Sequence, residues 1–492
     1  MRMAARKLCF LASEMTPFAK TGGLADVAGA LVRELCNAGH DVRAFMPLYG
    51  TLRDGPWQLQ DVAAVSRVAL PIGALHYEFS LRAAAWPGAD RTTYFVDCPQ
   101  MFDRGALYTQ DADEYRRFLL FTRAVVESCQ RLAFAPDIFH CNDWHTALLP
   151  LLLKSAYSWD RLFANSRTVL TIHNIAFQGI MPADAAADLQ SGPGEPPLDP
   201  EDLAQGFINS LKIGIRFADA VTTVSPTYAR EICAGPLGMG LQKALRRRVD
   251  GVTGILNGVD YEDWDPRHDR YLTVQYGAGD WRGKLANKRA LIAAEGLDIG
   301  PAVPLFGMVG RLTEQKGIDL LLQVLPAFLQ RSDCALLVLG SGEARYAAFF
   351  EMLAGRFPGR VAFHFGFDEA RAHLIEAGSD AFLMPSRYEP CGLNQMYSMR
   401  YGTIPVVHKT GGLADSVVHF DAATRIGTGC VFKDFDGGAV EWALQTTLDW
   451  FADRTLWRRL MQNAMAADFS WRLRIPEYEA LYERVGALAP GT

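Results

Sequence analysis

Several short segments combine basic, acidic and glycine residues at spacings that suit work on a phosphate ester. Gly310-Arg311-Leu312-Thr313-Glu314-Gln315-Lys316-Gly317 follows an apolar run. Its Arg311 and Lys316 can converge on one anion, since a guanidinium fork matches phosphate oxygens and a lysine adds a point charge. Taken alone, the pair reads equally well as two solvated surface charges. Pro385-Ser386-Arg387-Tyr388-Glu389-Pro390-Cys391-Gly392-Leu393-Asn394-Gln395 places Glu389 before a proline, which holds it extended, and then runs into a helix start. The N–H groups of Cys391 to Asn394 would point at whatever lies beside that carboxylate, or the carboxylate is merely a cap. The heptapeptide KTGGLAD occurs twice, at Lys20–Asp26 and Lys409–Asp415. Each copy follows a strand-like segment and precedes a helical one. Its paired glycines permit close backbone approach, and the helix start offers N–H groups to an anion; a tight strand–helix turn without a ligand is the alternative. One copy in each half favours a shared ligand.

His140-Cys141-Asn142-Asp143-Trp144-His145 and His173-Asn174-Ile175 also sit where apolar runs end. The spacing of His140 and His145 invites a metal, but no further ligand cluster follows, so neither a metal nor a cofactor is expected. Position is the informative feature, because ligands of open α/β sheets bind beyond the carboxyl ends of the strands. The sequence has no GxxxxGK[ST], HExxH or GxSxG, and Gly340-Ser341-Gly342 reads as a turn without the third glycine of a dinucleotide fingerprint. Hydride transfer, zinc proteolysis and serine hydrolysis therefore lack local support.

Loops of this kind need strands and helices to aim them. Short apolar runs alternate with helical periodicity: strands are expected at Leu8–Ala12, Val42–Met46, Thr93–Val96, Ile138–His140, Val169–Ile172 and Ala220–Val224, with helices at Val27–Ala38 and Tyr115–Leu132. A second series follows at Leu305–Val309, Ala335–Leu339, Val361–Phe365, Ala381–Met384 and Pro405–Val407. Alternating βα units imply the α/β class, with two doubly wound Rossmann-like domains. The polar, aromatic stretch between Gly258 and Pro301 is expected to hold the crossing point, and Gln190–Asp199 reads as an exposed Pro/Gly-rich loop. The 492 residues are 49% hydrophobic and 21% charged, which excludes wholesale disorder, and 49 basic against 55 acidic residues give −6. Nothing in that balance points to nucleic acid. Nine scattered cysteines without a CxxC pair and the lack of an 18-residue apolar run point to a cytoplasmic chain without a membrane partner.

With these residues assembled, the sequence resembles bacterial glycogen synthases and the related plant starch synthases. The matching segments include SEMTPFAKTGGLADV, DWHTALLPL, LTIHNIAFQG, GILNGVDYEDWDP, VGRLTEQKG, PSRYEPCGLNQ and RYGTIPVVHKTGGLADSV, in the family's order over nearly the whole chain. The resemblance implies a GT-B fold, with an acceptor-side domain over 1–258, a nucleotide-sugar domain over 259–467 and a segment over 468–492 that crosses back. It implies retaining transfer of glucose from ADP-glucose to the non-reducing 4-hydroxyl of an α-1,4-glucan. ADP-glucose would lie in the interdomain cleft, its diphosphate on Arg311, Lys316, Lys20 and the backbone at Gly22-Gly23. Glu389 would face the glucosyl group, with amides of Cys391, Gly392, Leu393 and Asn394 on sugar hydroxyls. The main-chain carbonyl of His173 would lie under the anomeric carbon, and Asp143 would touch the transferring sugar. Asp26, Tyr108, Asn174 and Asn257 complete the implied binding set, with Phe367 against the adenine where relatives often carry tyrosine. Asn142, Asn394 and Leu374 stand where relatives commonly have His, Thr and Arg, and the His lost at 142 is expected to be dispensable. A GT-B enzyme with another donor or acceptor is one rival. A silent glucan-binding protein is the other, and it would be expected to have lost Lys20, Arg311, Lys316 or Glu389.

Overall fold

The computed structural model describes residues 4–87, 91–189 and 197–488. The chain forms two compact units: Met1–Val224 with Ala229–Gly258 and Trp471–Thr492, and Ser225–Tyr228 with Val259–Ser470.

The first unit is built on strands β1 (Lys7–Leu11), β2 (Asp41–Pro47), β3 (Gln60–Asp61), β4 (Val68–Ile72), β5 (Leu75–Ala85), β6 (Thr92–Asp97), β7 (Ile138–Asn142) and β8 (Arg167–Ile172). The short pair β9 (Ile180–Pro182) and β10 (Phe207–Asn209) stands apart, and β11 (Ala220–Thr223) and β12 (Thr253–Gly254) return to the main sheet. The main sheet runs β12-β11-β8-β7-β1-β2-β6-β5-β3, with β4 on β5. From β12 to β6 the pairing is parallel, and every residue of β7 and β8 is buried. That two-sided burial is why these strands read as unbroken apolar runs. The antiparallel β3–β5 ribbon was not expected; β4 alternates buried and exposed residues, the mark of a one-sided strand. Helix Gly23–Ala38 packs its Leu24, Leu31 and Leu35 stripe inward, and helix Glu114–Arg131 does the same with Phe118, Phe121 and Val125. The C-terminal helix Ile475–Gly486 joins this unit, where Tyr482 meets His140.

The second unit carries β13 (Leu305–Leu312), β14 (Ala335–Gly342), β15 (Val361–Phe365), β16 (Ala381–Met384), β17 (Ile404–His408) and β18 (Cys430–Phe432) in the parallel order β15-β14-β13-β16-β17-β18. Two expectations change here. Gly310–Leu312 and Gly340–Gly342 are not loop and turn but continue the ladder, paired residue for residue. The edge strand β18 was also unforeseen, being only three residues long. The stretch DYEDWDPRHDRY is packed rather than loose: Trp264 stacks on His373 at 3.7 Å and on Tyr397 at 3.9 Å, and Asp269 accepts hydrogen bonds from His373 and Tyr401.

Of the loop read at 190–199, residues 190–196 lie outside the described residues. Asp199 caps the following helix by accepting from the Glu201 N–H. Among the described residues, no helix is long and apolar enough to cross a membrane.

Candidate active site

In each sheet the strand order reverses beside the first strand, and the chemistry-bearing loops leave from there. In the first unit the reversal lies between β1 and β7, whose carboxyl ends lead to Ser13-Glu14 and to Asp143. The buried Glu14 carboxylate accepts both the backbone N–H and the hydroxyl of Thr21, each at 2.6 Å, and so pins the first KTGG turn. Burial pushes Glu14 up to about 7, against the lowering effect of those two bonds. Lys20 Nζ lies 3.0 Å from Asp26 Oδ1 within the same turn. Gly22, extended just before helix Gly23–Ala38, provides no side-chain cap, and Gly23 is exposed. Tyr108 shares a 2.8 Å hydrogen bond with the Ser13 hydroxyl, and its ring lies 5.0 Å from that of His145.

Asp143 adopts a left-handed backbone (φ 55°), which an aspartate tolerates better than most residues. Its Oδ1 accepts the N–H groups of His173 (2.7 Å) and Asn174 (3.3 Å), so one carboxylate orients the loop after β8. Burial pushes Asp143 up to about 7. Asn142 donates from Nδ2 to the Leu11 carbonyl, which turns its Oδ1 toward His173 Nε2 at 2.9 Å. His173 therefore carries its proton on Nε2, and burial pushes it down to about 3, so the ring is neutral at physiological pH. The residue at 142 thus sets the His173 tautomer through its amide oxygen. Asn174 Oδ1 accepts from Ala176 N–H, and the buried Asn257 Oδ1 has no partner among the described residues. His140 is satisfied by Tyr482 and Thr171, each at 2.7 Å. Among the described residues, no group of three or more His, Cys, Asp or Glu is placed to hold a metal ion.

In the second unit the reversal lies between β13 and β16. Lys316 follows β13 and Glu389 follows β16, and they meet as a 2.6 Å ion pair. The Ser386 hydroxyl donates to the same carboxylate oxygen at 2.9 Å. Gly317 makes this possible: at φ 69°, a Cβ there would lie 1.9 Å from the Pro385 carbonyl oxygen, so only glycine lets the two loops approach. Arg311 is exposed beside them, and its Nη2 lies 3.3 Å from Gln315 Oε1. Asn394 donates to the Val309 carbonyl, fixing the Cys391-Gly392-Leu393 turn to the end of β13, while buried Gln395 donates to the carbonyls of Cys391 and Gly392. Phe367, in the loop after β15, is 74% exposed.

The second KTGGLAD copy is used differently. Gly411 and Gly412 are buried, and a Cβ on either would strike the carbonyl oxygen of Glu389 or of Cys391, at 1.9 and 2.1 Å. The Gly412 N–H donates to the Glu389 carbonyl, and Asp415 accepts from the N–H and hydroxyl of Thr227. This copy therefore braces the Glu389 loop, and the expectation that both copies grip one ligand is corrected.

A family model described as "Starch synthase catalytic domain" matches residues 7–247, and one described as "Glycosyl transferases group 1" matches 295–464. Glycogen synthase of Anaeromyxobacter dehalogenans (strain 2CP-1) is 45% identical, covering 99% of this chain and all of the relative. Glycogen synthase of Koribacter versatilis is 42% identical over 97% of this chain and 98% of its own length. The chain belongs to the glycogen synthase family. A solved catalytic domain of starch synthase IV from Arabidopsis thaliana, bound to ADP and acarbose, superposes with a TM-score of 0.89 at 34% identity, covering 99% of this chain and all of that one. The two Rossmann-like units are those of the GT-B fold, and the chain is a glycosyltransferase of glycogen and starch elongation.

Within this glycogen synthase framework, Glu14 and Asn142 are the residues whose importance sequence reading passed over. Glu14 lies three residues past the end of β1, whose last four residues are all buried, and that proximity to a buried strand end was the signal available.

Proposed function

We propose that the chain transfers glucose from ADP-glucose to the non-reducing 4-hydroxyl of an α-1,4-glucan with retention of configuration, releasing ADP. The observation that carries the reading is the Lys316–Glu389 pair beside exposed Arg311, at the point where the second sheet reverses its strand order. Departure of ADP concentrates negative charge on the diphosphate and leaves an oxocarbenium-like sugar. Arg311 and Lys316 are the groups of the second unit proposed to meet the diphosphate charge electrostatically, and Lys20 with the Gly22-Gly23 backbone are those proposed from the first. Glu389 and the Cys391–Asn394 backbone hold the sugar hydroxyls, and the His173 carbonyl faces the anomeric carbon. The neutral His173 ring, with its Nε2 proton committed to Asn142, adds no positive charge there. Asp143, with its Oδ1 committed to two backbone N–H groups, acts on the transferring sugar as a hydrogen-bonding group and not as a nucleophile. Same-face attack by the acceptor hydroxyl follows. Exposed Phe367 supplies the surface for the adenine, and the unpartnered Asn257 oxygen suits a donor hydroxyl. The setting is cytoplasmic.

Incorporation of labelled glucose from ADP-glucose into glycogen, with UDP-glucose as competitor and with a chelator added, tests the reading. Transfer from ADP-glucose that the chelator leaves intact is expected. Absence of transfer, Glu389→Ala at wild-type rate, or a trapped glucosyl adduct on Asp143 or Glu389 would overturn it.

A further inference from the structure

The edge of the second sheet carries a cavity of about 750 Å³ lined by the second KTGGLAD copy and the segment after it, by strand β18 and by helix Gly437–Ala452, with neither Lys316 nor Glu389 in its lining. That volume falls within the roughly 300–1,000 Å³ of sites that take small ligands. Its apolar floor is unusual for a surface. Trp442 is 48% exposed and Val418 59% exposed, whereas Trp450 and Phe451 on the same helix are buried. His419 extends the indole surface: its ring lies 5.7 Å from that of Trp442, tilted by only 28°. The imidazole is held in that pose because its Nδ1 accepts the Val431 N–H at 3.1 Å. Burial lowers the His419 pKa, which keeps the ring uncharged.

The rim decides what such a platform would take. Lys409 and Lys433 are balanced by Asp434 and Asp436, so the rim carries no net charge and has no preference for an anion such as a nucleotide. A flat aromatic floor with donors and acceptors around it fits a neutral polyhydroxylated ring, which offers C–H faces to the indole and hydroxyls to the rim. The α-1,4-glucan that the chain is proposed to elongate is a polymer of such rings, and it extends well beyond any single catalytic site. We infer that the Trp442–His419 surface is a glucan-docking site, separate from the catalytic groups, that holds a neighbouring chain of the polymeric acceptor. This rests on the proposed acceptor class.

Two readouts on the full chain keep the site and the proposed function apart. Retardation of the protein in gels containing glycogen reports docking, and initial rates of transfer from ADP-glucose to maltotriose, a single short acceptor, report the reaction. Trp442→Ala should weaken glycogen retention about tenfold and raise the apparent KM for glycogen similarly, while maltotriose kinetics stay at wild type. Trp442→Phe, which keeps an aromatic face, should retain most of the binding and guards against a folding artefact. Glycogen retention unchanged in Trp442→Ala, or an equal loss with maltotriose, would overturn the docking site. Wild-type protein that shows Trp442-dependent retention but no transfer to maltotriose would instead sink the proposed reaction and leave the docking surface standing.

Discussion

Replacing Glu14 by glutamine gives a test whose sign and size follow from burial. The carboxyl is almost wholly buried and is pushed from its ordinary 4.5 up to about 7, chiefly by desolvation. Each pKa unit corresponds to about 1.4 kcal/mol, so ionised Glu14 costs the folded state about 3 kcal/mol. Between those two pKa values the folded chain binds more protons than the unfolded one, which makes the slope of unfolding free energy against pH negative. The favourable state is complete below pH about 4.5 and is lost as pH rises through about 7. Glutamine cannot ionise, yet its amide oxygen can still accept from both donors of Thr21. Glu14→Gln should therefore gain on the wild type by about 3 kcal/mol as pH rises from about 4.5 to about 8. Urea unfolding of both proteins across that range measures it, and taking the difference cancels the titration of groups far from the site. Asp143, raised to about 7 chiefly by burial, is raised further by the Glu14 charge, so a double variant with Asp143→Asn would show how far the two titrations are coupled. A constant offset between wild type and Glu14→Gln at every pH would refute the burial argument.

Lys316→Ala should lower kcat by about a hundredfold or more, read from initial rates with ADP-glucose, because it removes a preorganised cation and leaves the Glu389 carboxylate buried beside Ser386 alone. Gly317→Ala should lose about 2 kcal/mol or more in urea unfolding and depress kcat with it, since the new Cβ would displace the Pro385 carbonyl that the loop rests on. Phe367→Ala should raise the KM for ADP-glucose about fivefold and leave that for glycogen unchanged, the pattern of a lost donor-side stacking surface.

The parallel strands were legible because burial on both faces writes them as short apolar runs; Val361–Phe365 and Ala381–Met384 have the expected bounds. What escaped is what local pattern does not encode. Gly310–Leu312 looked like loop because glycine and charge interrupt the run, yet backbone pairing with Gly340–Gly342 needs no apolar side chain. The β3–β5 ribbon packs on one side only, and its polar face hid it. In the candidate site, the loops carrying Arg311, Lys316 and Glu389 could be picked out by residue type and by position at strand ends. The contact between Lys316 and Glu389 could not, because it joins residues 73 apart and depends on the close approach that Gly317 allows. Glu14 and Asn142 work through burial and amide orientation, neither of which shows as a motif.

The repeated heptapeptide shows how one local sequence serves two ends. Both copies lead into a helix and so present backbone N–H groups that the helix itself does not use, but they enter it differently: Gly22 is extended (φ −158°) ahead of the helix that begins at Gly23, whereas Gly411 is already the first residue of its helix at φ 43°. The occupants differ as well. In the second copy, backbone of the Glu389 loop fills the space, with the Glu389 carbonyl accepting from Gly412 and the Cys391 carbonyl oxygen only 2.1 Å from where a Gly412 Cβ would stand. In the first copy, the nearest atom to a Cβ on Gly22 is Glu14 Oε1 at 3.7 Å, Gly23 is exposed, and the helix start lacks a side-chain cap. An internal carbonyl oxygen thus fills in one turn a space that the other leaves open beside Gly22. The motif codes for a turn whose backbone N–H groups can donate to an oxygen, and its surroundings decide which oxygen lies within reach.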